Sequence, residues 1–433
     1  MLTTIVQHSQ DLVTFISALN VALYQPQIRH LLQVVDALLT SNERKTISGL
    51  YRLLKSQPDP KSGADFFRES PWKVEDIASV RKRWMVTKFL ELAGKLHVPF
   101  AIFASIDDSL GKKGKATRHL EAVDYQHNHT ESTRKKQAYT NGYIFVELHL
   151  QIGPFGFLFD TRLYLREKTV RRLNRKRPSG KRLAFRTKYA LARQMLVELD
   201  ALLPKGHKVY VLFDSWYASK KLIKFCRRKR WHVICALKSN RRIDKVSVSR
   251  HNQQLRHKPY KRITLEAMNE NRKAPKYFTR SIKGHLTDIF DPVHVIISKK
   301  GTRDKSPKYF ACTDLSLSAQ QVLRYYQKRW AVEVDNTYLK NALGLGDFRL
   351  QSFEAIEKWF AVVVLAINYL QYRMALAYSI IPSKVPLADF IRQHRLEHFK
   401  SLLRSVLEPF AKPQQIETCL KEVFTASSPQ SII

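Results

Sequence analysis

Cysteine is scarce in this chain: four in 433 residues, Cys226, Cys235, Cys312 and Cys419, none spaced for a CxxC zinc motif. No disulfide framework is expected, and so few thiols suit a reducing cytoplasm. Acid is scarce too. Asp and Glu number 37 against 75 Lys and Arg, a net charge of +38 with a pI near 10.1, which points to an acidic partner. Long hydrophobic runs are also lacking: residues 359–370 form the longest, and they contain Asn368. That falls short of the roughly 20 residues a membrane span needs, so a buried helix is expected there. Near the start, Gln10 and Asp11 stand where a signal peptide would place a basic stretch and an apolar run, so none is expected. Repeats and low-complexity blocks are absent.

What is present is enough to build a core. Hydrophobic residues make up 44% and aromatics 11%, which excludes a disordered basic tail. The length suits two or three domains. Positive charge is spread along the chain instead of lying on one amphipathic helix, favouring nucleic acid over a membrane surface.

The first hundred residues have helical periodicity: Ile28, Leu31, Leu32, Val35 and Leu38, a break at Thr40-Ser41-Asn42, then Ile47, Leu50, Leu53 and Leu54. The pair reads either as a helix-turn-helix, with Arg44, Lys45 and Arg52 meeting phosphates, or as part of an ordinary bundle. A longer helix is expected from Val74 to Leu96. The period then changes. Residues 100–106 read as a buried strand ending at Asp107-Asp108-Ser109, followed by a basic loop. Residues 142–152 and 155–165 alternate around Gly153-Pro154, a hairpin signature. Residues 166–188, rich in Lys and Arg, read as a mobile basic loop, and a helix follows over 189–203. Strands at 207–213, ending in Asp214, and at 232–237 flank a helix at 219–230. The pattern is that of an α/β sheet. Short strands broken by basic turns mark 241–313 as a β-rich insertion, after which helices resume at Ser318 and run on into the tail.

The helix after the insertion carries Tyr326, Arg329, Glu333 and Lys340 at offsets of 3, 7 and 14. On one continuous α-helix these share a stripe roughly 60° wide. With Asp107 and Asp214 at adjacent strand ends, Glu333 would make a third carboxylate around one point. Three carboxylates without Cys or His suit Mg²⁺ or Mn²⁺, and two such ions about 4 Å apart support phosphodiester cleavage.

These residues resemble a known family. The strand acids Asp107 and Asp214, Asp214-Ser-Trp-Tyr217, and Tyr326-x2-Arg329-x3-Glu333-x6-Lys340 resemble the DDE transposases of bacterial insertion sequences, in the group with the Tyr-Arg-Glu-Lys signature. The resemblance spans about residues 100–375. It implies a ribonuclease H-like catalytic core over 98–240 and 314–375, interrupted by the β-rich insertion at 241–313. A helical N-terminal DNA-binding domain (1–97) and a helical C-terminal region (376–433) would flank it. It further implies that Asp107, Asp214 and Glu333 hold two Mg²⁺ (Mn²⁺ as substitute), with Asp108 the alternative to Asp107. Tyr326, Arg329 and Lys340 would grip phosphates, and a homodimer would cut and paste double-stranded transposon ends into target DNA in the bacterial nucleoid. A nuclease of the same fold and a non-catalytic DNA-binding derivative are the competing readings.

One departure from the family stands out. Relatives that excise through a hairpin hold a flipped base with a Trp of the insertion, and here no Trp lies between Trp231 and Trp330; Tyr277 or Phe278 could stack instead. Lys112, Lys113, Lys115, Arg118 and His119 follow the first acid and are expected to meet DNA. His127 and His129 lack a second pair at ligand spacing, so no zinc site is expected there. Trp216 and Tyr217 either stack on a base or cap the core.

Overall fold

A computed structural model of the chain describes residues 4–424 apart from 57, 130, 134, 135, 267–272, 288, 302, 305 and 384, and apart from the side chains of 421–424. Helices come first: α1 (Gln10–Leu19), α2 (Gln25–Thr40), α3 (Ile47–Tyr51), α4 (Pro60–Arg68) and α5 (Val74–Gly94). The break after Thr40 falls where the sequence puts it. Thr46 caps α3 by accepting from the Gly49 N–H, but α3 has five residues and buries Leu50 and Tyr51 against α2 and α4, as a bundle element does.

Next come β1 (Ile102–Lys112), β2 (Asp124–His127), β3 (Tyr139–Ile152), β4 (Phe155–Tyr164), α6 (Glu167–Asn174), α7 (Lys188–Leu202), β5 (Val209–Phe213), α8 (Lys220–Arg228) and β6 (His232–Leu237). The segment after them holds β7 (Arg242–Ile243), β8 (Val246–Ser247), α9 (Val248–Gln254), β9 (Lys261–Thr264), β10 (Lys276–His285), β11 (Pro292–Lys299) and β12 (Lys308–Cys312). The chain closes with α10 (Ala319–Gln327), α11 (Trp330–Thr337), α12 (Phe353–Ile380), α13 (Leu387–Leu407) and α14 (Pro413–Phe424).

Ten strands form one mixed sheet in the order β2-β3-β1-β5-β6-β12-β11-β10-β9, with β4 also on β3. Strand β1 runs antiparallel to β3 and parallel to β5, and β5 is parallel to β6. The hairpin expected around Gly153 is β3–β4, and Gly153 turns the chain at φ +60°, a conformation glycine adopts freely. The long strands within 241–313 extend this sheet, because β12 pairs antiparallel with β6.

Apolar residues fill both faces. Ile102, Ala104 and Ile106 share the larger core with Met195 and Leu196 of α7. Phe103 joins Tyr210, Leu212, Ile234 and Phe310 in a second core roofed by Val322 and Leu323 of α10. Helix α12 is long and apolar enough to cross a bilayer, yet 78% of its most apolar window is buried within the fold, packed on α2, α5 and β4. It is the buried helix anticipated from residues 359–370.

Two local expectations are corrected. Strand β1 does not end at Asp107; it continues to Lys112 because β3 is long enough to pair with it as far as Gly142. Nor is the basic stretch after Arg166 a loose loop. Helix α6 buries Val170, the Asn174 amide both donates to and accepts from the Leu183 backbone, and Arg177 donates to Glu121 at 2.5 Å and to Glu354.

Candidate active site

The parallel register of β1 on β5 sets Ile106 beside Phe213, so Asp107 and Asp214, the next residues, are neighbours. Side chains alternate along a strand, so Asp107 shares a face with Phe103 and Ser105, and Asp214 with Tyr210 and Leu212. That face lies under α10 and α11. On the other side of β1, Glu147 of β3 stands directly opposite Asp107. Three acids therefore line up across three adjacent strands.

Arg329, in the turn between α10 and α11, ties the helices to this row. Its Nη1 donates to Asp107 Oδ2 at 2.5 Å and its Nη2 to Glu333 Oε1. Asp107, Glu333 and Arg329 side chains are 21, 34 and 15% exposed, open enough to be reached and closed enough for charges to interact strongly. Burial pushes the Asp107 carboxyl up to about 6, with Asp214 adding repulsion and Arg329 opposing it. The Asp107 Oδ1 accepts from the Asp108 N–H at 2.9 Å. Asp214 Oδ1 accepts from the Trp216 and Tyr217 N–H groups at 2.9 and 3.1 Å, which fixes the carboxylate at the strand end. Glu147 is fully buried. Burial first, then Asp335 and Asp107, push its carboxyl well up; Oε1 accepts from Asn336, while Oε2 has no partner among the described residues.

The signature residues do not lie on one continuous helix. The chain breaks at Lys328-Arg329, and after α11 residues Tyr338–Ala342 form a π-helical turn. The single stripe expected of an unbroken α-helix is thus replaced by two re-aimed segments. Even so, Arg329 reaches Asp107, and Lys340 Nζ donates to Ser109 Oγ at 2.5 Å and to the Leu110 carbonyl at 2.9 Å. Tyr326 sits further toward the insertion, half-buried against Phe310, and burial raises its phenol.

Asp108 points to the opposite face. Its Oδ2 accepts from Lys188 Nζ at 2.6 Å, and that ammonium lies 5.0 Å from the Trp216 ring centre. Trp216 stacks on Tyr189 with centroids 4.5 Å apart, and Tyr217 is fully buried.

The expected basic contacts divide. Lys115, Arg118 and Arg44 are exposed, Arg44 lying 3.7 Å from Asp347. Lys113 turns inward, donating to the Gly346 and Phe348 carbonyls over the Phe348 ring, and burial lowers it to about 8. Lys45 is buried with its Nζ on the Ser41 carbonyl, also lowered to about 8 by burial. Backbone carbonyls, not phosphates, take these two ammonium groups. His127 contacts His129 at 3.3 Å and bonds Gln137, forming no group of three metal ligands among the described residues.

Glu147 enters the site unanticipated, and Lys188, on the other side of β1, holds Asp108 away from it. Glu147 had a signal: it is the one acid in an apolar alternating strand, on the face it shares with Phe145 and His149. Lys188 had none, being one cation in a basic run.

Residues 186–369 match the family model described as Transposase DDE domain. The match takes in Asp214, Tyr326, Arg329, Glu333 and Lys340 and begins after Asp107. Comparison with curated proteins finds no match. Seven chains of solved structures match, among them one in the cryo-EM structure of a piggyBac transposase synaptic complex with hairpin DNA. That chain is 13% identical, with a TM-score of 0.44, over 100% of this chain and 80% of its own.

Proposed function

We propose that this chain is a metal-dependent DDE transposase that binds the inverted-repeat ends of a bacterial insertion sequence, cuts the DNA and transfers the ends to a target. One observation carries the reading: Asp107 and Asp214 stand side by side on parallel strands, with Glu333 tethered to Asp107 through the Arg329 guanidinium. A cationic group thus bridges two of the acids, in the position a metal ion would be expected to fill. Hard carboxylate oxygens suit Mg²⁺ or Mn²⁺, and with Arg329 between them the three acids would have to draw closer to share an ion. When bound, two such ions supply an activated water or 3′-hydroxyl and stabilise the leaving oxygen.

The chain's own residues do the rest. Asp107, Asp214 and Glu333 hold the ions, Asp107 being favoured over Asp108 because Asp108 faces Lys188 on the other side of β1. Arg329, once released from the acids, would bind a phosphate oxygen, and Lys340, once released from Ser109 and the Leu110 carbonyl, and Tyr326 would bind others. Ribonuclease H-like architecture for 98–240 and 314–375 is supported by the order β4-β3-β1-β5-β6, antiparallel in its first three strands and parallel in its last three. On this reading 1–97 and the exposed cations of 166–186 bind double-stranded DNA, 241–313 is the insertion, 376–433 is a C-terminal helical region, and a homodimer acts in the nucleoid.

The direct test is cleavage of a duplex carrying the DNA that flanks the gene. Nicking with Mg²⁺ or Mn²⁺ and none in EDTA is expected, whereas undiminished cleavage in chelator would exclude metal-ion chemistry.

Two further outcomes are expected. Replacing Arg172, Arg175, Lys176, Lys181, Arg182 and Arg186 with Ser should flatten the salt dependence of DNA binding, by up to about 0.9 in log–log slope for each phosphate that is no longer neutralised. An unchanged slope would turn this face away from DNA. The second concerns pH. A carboxyl held near 6 is largely protonated below that value and must ionise to take a cation. Mn²⁺ affinity, followed by calorimetry, should therefore climb from about pH 5 to about pH 7 and then level off. A flat profile would remove Asp107 from the ligand set.

A further inference from the structure

A second cluster of metal-ligating side chains lies away from the acids of the sheet. His394 and His398 are one helical turn apart on α13 and project from one face. Their Nε2 atoms converge on a single oxygen, Asp36 Oδ1 of α2, at 2.8 and 2.7 Å. His8, from the segment before α1, reaches the other oxygen through Nδ1 at 2.8 Å. Asp36 and His394 have no exposure and His398 has 2%. The ligand atoms of Asp36, His394 and His398 all lie within 4.8 Å of one another.

The cluster is made of ligand-type side chains. Asp36 is a fully buried carboxylate whose ion-pair partners among the described residues are these three imidazoles, with no Lys or Arg among them. Hydrogen bonds from His394, His398 and His8 outweigh burial and hold the Asp36 carboxyl well below the usual carboxylate range, so an anionic oxygen and imidazole nitrogens are gathered at one buried point. His394 Nδ1 is buried with no partner among the described residues, so this ring is held in the cluster through Nε2 alone.

We propose that Asp36, His394 and His398 bind a structural zinc ion, with His8, which here meets the other Asp36 oxygen, turning in to close the fourth position. Two or three imidazole nitrogens with one carboxylate oxygen are a tetrahedral zinc set, and they differ in kind from the all-oxygen set of the sheet acids. The nitrogen–oxygen distances of 2.7–2.8 Å would open to roughly 3.3 Å to admit a tetrahedral ion at about 2.0–2.1 Å from each ligand. His8, 26% exposed, is the side from which the ion enters. The ion would clamp α2 to α13 across 358 positions of sequence, joining the N-terminal helices to the C-terminal region.

The test uses the full chain, dialysed in excess Mg²⁺ so that the sheet acids are competed. Wild type is expected to retain one Zn²⁺ per chain, to melt at a lower temperature once the zinc is stripped, and to show intense tetrahedral ligand-field absorption when Co²⁺ replaces it. Glu333→Gln should keep all three properties, while His398→Gln should weaken zinc binding by about tenfold or more. No retained zinc and only weak octahedral cobalt absorption in wild type would overturn the proposal, leaving a hydrogen-bonded His–Asp cluster. So would full zinc retention by His398→Gln. Should that variant fail to fold, the cobalt spectrum of the unaltered chain still decides.

Discussion

Glu333→Gln is expected to lower cleavage of transposon-end DNA by on the order of 10³-fold while changing DNA affinity only a few-fold. The amide keeps the size of the side chain and can still meet Arg329, but it cannot act as an anionic metal ligand. Loss of a metal ligand removes several kcal/mol of transition-state charge stabilisation, and each 1.36 kcal/mol is about a factor of ten in rate. Affinity, by contrast, comes from a +38 chain meeting phosphates, to which one carboxylate contributes little. Single-turnover cleavage and a binding isotherm on the same duplex separate the two quantities. If both fell together, Glu333 would be a structural partner of Arg329 and nothing more.

The pair Asp107→Asn and Asp108→Asn should differ almost as widely. Asp107 faces Asp214 and Arg329, so its neutralisation is expected to abolish cleavage to a similar degree and to weaken Mn²⁺ binding. Asp108 faces Lys188, and losing that half-buried ion pair should cost stability of about 1 kcal/mol with cleavage mostly retained. Calorimetry with Mn²⁺ and thermal melts of both variants read these effects independently. The opposite assignment follows if Asp108→Asn is the dead variant.

Strand acids after apolar runs interrupt an otherwise uniform pattern, so the placement of Asp107 and Asp214 beside one another is legible in the sequence. The apolar run at 232–237 coincides with β6, since runs of that length have few alternatives. What escaped depends on partners far along the chain. The extension of β1 through Asp107 is set by the length of β3, and no local pattern at 102–112 reveals it. Lys45 and Lys113 read as surface cations until distant carbonyls and the Asp347 region enclose them. The break at Arg329 and the π turn at Tyr338–Ala342 leave no periodic trace, yet they aim Arg329 and Lys340 at β1. Asp36 and His394 lie 358 residues apart, so their meeting is a purely tertiary fact.

The proposed activity has two steps, cutting DNA and joining it. It is tested most directly by incubating purified protein with Mg²⁺, a labelled duplex carrying the inverted repeats that border its gene, and a supercoiled target plasmid, then sequencing the covalent joints. The element's 3′ ends should be found joined to target DNA, with no joints in EDTA or with Glu333→Gln. Metal-dependent cutting that never yields a joined end would contradict it and make the protein a nuclease on the same scaffold.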